Sequence, residues 1–152
     1  MENSMRNLIA ITAAFVVSAT ASFADLIEKP SPHSVQNTMD RLQTAVEGAG
    51  ARVAARVDHA AAAKTVGIDL APNQVLIFGN PNIGSPIFVE NPAAGLDLPI
   101  RVVVYQDEAG QTIVAYHDPE SLAQSFGLSP DMKSFQMMAG ALTRLTDAAT
   151  AE

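Results

Sequence analysis

The sequence predicts an α/β fold, in the broad sense that includes α+β: a single compact domain with a mixed sheet. Three observations carry this expectation. Apolar residues recur at helical spacing through Val35, Met39, Leu42 and Val46, and again through Phe135, Met138, Leu142 and Leu145. Short apolar runs at Gln74–Phe78 and Ile100–Gln106 have the length and composition of strands. Gly, Pro, Asn and Asp punctuate the intervals between these segments, as turns and caps require.

The first segment is not expected to belong to the fold. Residues 1–24 read as a secretory signal peptide: Arg6 in a short polar start, an apolar core from Leu8 to Val17, then Ser22-Phe23-Ala24 as a small-x-small cleavage pattern. Ten apolar residues fall short of the roughly 20 that span a bilayer, so a leader fits better than an anchor. Cleavage after Ala24 leaves 25–152 as one domain with no membrane span, in a periplasmic or secreted location. A chain of that size supports a single core without staples, and the sequence holds no cysteine to form them. Thiol catalysis and thiolate metal sites are thereby excluded. With 9 basic against 16 acidic residues, and no basic stripe or aromatic platform, nucleic acid is not an expected partner.

The elements follow in the order β-α-β-α-β, then a β-hairpin and C-terminal helices. Leu26–Lys29 is a short strand closed by Pro30. Ser34 caps a helix that Gly50 ends. Residues 51–58 alternate, with Arg52 and Arg56 on one side and Val53, Ala55 and Val57 on the other, which is the pattern of a half-buried strand. Asp58 caps an alanine-rich turn closed by Gly67, and the run Gln74–Phe78 then reads as a strand reached by a short parallel crossover. Ile100–Gln106 and Thr112–Tyr116 flank "DEAG" as a hairpin with Gly110 at the position needing positive φ. After a short helical turn from Pro119, Ser129 and Pro130 open a C-terminal helix over 130–148.

Five stretches resemble the domain of unknown function 302 family in order and spacing: "RVDHAAAAKTVG", "LIFGNP", "GSPIFVENP", "LDLPIRVVVYQDEAG" and "YHDP". The resemblance covers Ser34 to Leu128 and implies a compact α/β domain, a homodimer as its assembly, and no established reaction. The family's last landmark more usually reads Tyr-Asn-Asp-Pro, so the His117 found here carries no family-wide role.

Candidate site residues stand just past the strand ends. If the strands run as expected, Asp58 and His59, Gly79 and Asn80, and Tyr116, His117 and Asp118 meet at the carboxyl edge of the sheet, where α/β proteins hold ligands. Gly79 would allow close backbone approach and Asn80 offers both donor and acceptor. Each aspartate also suits a helix cap. Two function classes follow. One is a non-catalytic module that binds or senses a small-molecule ligand. The other is a metal-assisted or acid/base hydrolase built on the two Asp-His pairs. No metal-binding spacing of the H-E-x-x-H type, nucleophile elbow or phosphate loop is present, which favours the first and identifies neither a catalytic residue nor a cofactor.

Overall fold

The computed structural model describes residues 25–152; the expected leader and its cleavage point after Ala24 lie outside them. The described chain is an α+β domain with one five-stranded sheet in the order β1-β5-β4-β3-β2. The strands are β1 (Leu26–Ser31), β2 (Arg52–Asp58), β3 (Asn73–Gly79), β4 (Ile100–Gln106) and β5 (Thr112–His117). The helices are α1 (Val35–Gly48), α2 (His59–Lys64), α3 (Pro81–Glu90), α4 (Pro119–Ser125) and α5 (Lys133–Thr150), with a 3₁₀ turn at Pro92–Leu96.

All neighbouring strands pair antiparallel, so the expected mixed sheet and the parallel crossover into β3 are both corrected. The cause lies in the shortness of the one helix between the two strands, since a crossover usually runs back along the sheet as a helix. Re-entering beside the start of β2 would require the connection to travel back along seven residues of strand, roughly 20 Å. Helix α2 has only six residues, about 9 Å of rise. The chain instead turns around at once: Gln74 pairs with Asp58 and Gly79 with Arg52. What reads as a βαβ unit is a hairpin with a helical turn in its loop.

The two outer strands are marked by features that discourage edge-to-edge association. β1 continues through Pro30, the expected stop, because a proline is tolerated on an edge. β2 carries a bulge between Val53 and Ala55. That extra residue reverses the alternation: Val53 pairs with buried Phe78, whereas Arg56, three residues on, pairs with buried Leu76. Arg56 thus lies on the helix-covered face, where it donates to Gln74 Oε1 and to Asp40 Oδ1 of α1. The single arginine face read from the alternation does not form.

The core lies between this face and the helices. Leu76, Val102, Val104 and Val114 meet Met39, Leu42 and Val46 from α1 and Phe135, Leu142 and Ala149 from α5. Ser34 caps α1 by accepting from the Asn37 N–H. α5 begins at Lys133 rather than at Pro130, because residues 129–132 form a separate turn in which Ser129 Oγ accepts from the Asp131 N–H. Polar contacts hold the layers in register. Lys29 Nζ of β1 donates to Asp147 Oδ1 and Thr146 Oγ1 of α5, and Arg41 of α1 donates to the carbonyls of Ala148, Ala149 and Ala151 at the end of α5.

The Arg56 hydrogen bond holds the Asp40 carboxyl below the usual carboxylate range. A carboxyl depressed in the folded state stabilises above its unfolded pKa of about 3.9, and that contribution is lost as pH falls through the folded value. Asp40→Asn should therefore lower the urea midpoint at pH 7, and the gap to the parent should close below about pH 4. A gap that stays constant with pH would show that this pair contributes nothing through its charge.

Candidate ligand-binding site

The hairpin geometry decides which expected site residues can meet. Asp58 and His59 are exposed and lie where β2 meets the start of β3. Gly79 and Asn80 lie at the far end of the same strand pair, roughly 20 Å away along β2. Tyr116 and His117 share the Gly79 edge, since β4 starts there at Ile100 and Val103 pairs with Ala115. The expected single concavity around all seven residues is therefore corrected, because reversing β3 moved Asp58 and His59 to the opposite edge.

Each landmark loop closes a helix start. Asp58 accepts from the Ala61 N–H at 2.8 Å, Asn80 from the Asn82 N–H at 3.0 Å, and Asp118 from the Ser121 N–H at 3.4 Å. Such caps offset the unpaired amides of a first turn. Gly79 also has a packing reason. Its φ is not positive, so no special backbone conformation demands glycine. A Cβ there would meet the Pro99 ring at 3.3 Å, tighter than ordinary contact. Gly79→Val should accordingly cost about 1–3 kcal/mol by overpacking, read as a lowered melting midpoint. An unchanged midpoint would show that Pro99 yields freely.

The connection from β3 to β4 forms one wall of a cavity. It leaves and rejoins the sheet at one edge, because Phe78 pairs with Ile100, so α3 and the 3₁₀ turn must stack there. Buried Ile87 anchors α3 and its other flank faces α5. Between them lies a cavity of about 720 Å³, walled by α3, α5, residues 49–54 and the ends of β3 and β4. Small residues make up part of its wall: Gly84 and Ser85 on α3, Gly140 and Ala141 on α5, and Ala51 and Ala54 beside the bulge. Apolar side chains, including Phe78, Ile83, Leu98 and Met138, supply most of the wall. Gly79 and Asn80 line this cavity.

Tyr116 and His117 line a separate recess of about 150 Å³ with Leu26, Asp97 and Arg101. Arg101 is tied there to Asp97 and to the Leu96 carbonyl. Asp118 and the pair Asp58 and His59 line neither space. Among the described residues no group of three or more His, Asp or Glu side chains is placed to share a metal ion.

Most of the cavity's walls fall outside the expected residues. α3 runs through Gly84 and Pro86, to which the sequence assigns no site role, and α5 reads as core alone. One signal was available. An isolated glycine inside a strong helical pattern, as at Gly140, commonly has a packing or functional reason.

Fold and site together define a small α+β domain with a side cavity between its sheet edge and two helices. The chain belongs to the family described as domain of unknown function DUF302, whose model matches residues 27–149. It is similar to a crystal structure of an uncharacterized conserved DUF302 protein from Bacillus stearothermophilus, with a TM-score of 0.72 and 21% identity over 82% of this chain and 97% of that one. Two relatives named fluoride-specific ion channel FluC 1, from Brucella suis and Brucella abortus, are each 39% identical over 117 residues, 76% of this chain. This chain spans less than half the length of each, 46% and 43% respectively.

Proposed function

We propose that this protein is an exported, non-catalytic module that binds a small molecule in the cavity between α3 and α5. The observation that carries this reading is the cavity itself. Its volume of about 720 Å³ falls in the range of roughly 300–1,000 Å³ typical of clefts that hold ligands. The hydrolase alternative needs Asp58, His59, His117 and Asp118 to act on one substrate, and the pairs stand at opposite edges of the sheet.

The Brucella relatives suggest what such a module accompanies. Among the described residues no helix is long and apolar enough to cross a membrane, so the shared segment is read as a binding domain rather than as the conduit. Fluoride is not the ligand assigned here, since a monatomic, strongly hydrated anion needs converging donors and this wall is mainly apolar. An environment-sensitive apolar dye tests the reading. Saturable binding with one site per chain, displaced by molecules co-purifying with the protein in native mass spectrometry, is the expected result. Dye binding without saturation would remove the basis for the site.

A further inference from the structure

The charges around the cavity run against those of the chain. The sequence has a formal net charge of −7, yet no Asp or Glu among the described residues lines the cavity, and its charged residues are Arg52 and Arg144. The other described arginines are engaged: Arg41 on the α5 carbonyls, Arg56 on Asp40 and Gln74, and Arg101 on Asp97. Arg52 and Arg144 are the described arginines with no hydrogen bond or ion pair from the side chain. On α5, Arg144 follows Gly140 by one turn and its guanidinium folds back over that glycine, since a Cβ at Gly140 would stand 3.4 Å from Nη1. The absent side chain at 140 thus leaves the guanidinium close to the cavity wall.

The remaining wall is suited to hydrocarbon. Phe88 and Met137 line the cavity while 37% and 46% exposed, leaving large apolar groups in water unless something covers them. Methionine adapts its shape to an irregular apolar guest. We infer that the cavity takes an amphiphilic monocarboxylate: a single anionic head held by Arg144, with Arg52 adding positive potential, and an unbranched hydrocarbon tail laid between α3 and α5. A guanidinium fits a carboxylate through two parallel hydrogen bonds. A polyphosphate finds too few cations in this wall, and a cationic amphiphile finds no carboxylate.

This inference rests on the cavity being a ligand site, and the test separates the two. Calorimetric titration of the purified protein compares octanoate, decanoate and dodecanoate with decanol and decyltrimethylammonium, each ion below its micellar concentration and decanol below its solubility limit. The expected result is one site per chain for decanoate, tightening about fourfold per added methylene until the tail fills the cavity, with decanol at least tenfold weaker. Added salt weakens decanoate and leaves decanol unchanged. Arg144→Gln brings decanoate down to the affinity of decanol without altering decanol, and Arg144→Lys recovers part of the preference. Equal binding of decanoate and decanol, or a preference that survives Arg144→Gln, overturns the carboxylate assignment while leaving an apolar ligand site. Failure of both to bind overturns the site as well.

Discussion

Phe135→Ala lowers the stability of this domain by about 3–5 kcal/mol, the range for truncating a fully buried aromatic side chain. Phe135 is 2% exposed and heads the stripe of α5 that continues through Met138, Leu142, Leu145 and Ala149. That stripe is the main contribution of the C-terminal segment to the core, and α1 and α4 pack on the same helix. Loss of the ring removes its transfer free energy and leaves a void that the sheet, held by hydrogen bonds on every inner strand, cannot close. The melting midpoint should drop by about 10 °C or more. Met137→Ala, two residues further on, should stay within about 0.5 kcal/mol because Met137 is half in water. Equal effects from the two substitutions would show that α5 does not hold its stripe against the sheet.

The elements that were legible are those whose signals are local. Ser34, Asp58 and Asp118 each place an oxygen where a first-turn amide needs one, and Gly110 supplies a φ of 83° in the hairpin. A cap or a turn is settled within four residues, so its reading survives whatever the sheet does. Strand direction is not local. "RVDHAAAAKTVG" looks like the start of a crossover, yet whether β3 returns parallel or antiparallel depends on whether the fourteen-residue connection forms a helix long enough to run back along the sheet, and α2 stops after six residues. The bulge at Ala54 is similarly invisible, because alanine alternates with valine and arginine as smoothly there as anywhere in the strand. One added residue was enough to place Arg56 among the helices and dissolve the expected arginine face.

The candidate site divides for the same reason: Gly79 and Asn80 line the cavity, while Asp58 and His59 stand at the opposite edge of the sheet. Of the polar landmarks at the strand ends, Asp58, Asn80 and Asp118 are helix caps. The cavity is instead marked by missing volume in part of its wall: Gly84, Gly140 and the alanines there are individually unremarkable. Such a site is written in residues two helices apart, and their facing positions follow only from the packing of the β3–β4 connection against α5. Glycine inside an otherwise strong helix former was the one sequence mark of it.

Restoring that missing volume is the most direct way to ask what the cavity does. In Gly140→Leu the new side chain projects into the space, and its Cβ meets only Arg144 Nη1, the far end of a flexible chain. Leucine is favoured over glycine within a helix by up to about 1 kcal/mol, and the added methyls would cover apolar wall that water now reaches. Stability should therefore hold or rise, with the melting midpoint unchanged or a few degrees higher. Binding should fall at least tenfold, both because the guest loses its room and because the guanidinium is pushed from the wall. The two readouts move in opposite directions, which general damage to the fold cannot imitate. A variant that binds the dye and decanoate as the parent does would place the ligand elsewhere, and a variant that melts early would show that Gly140 is there for close helix packing rather than for a guest.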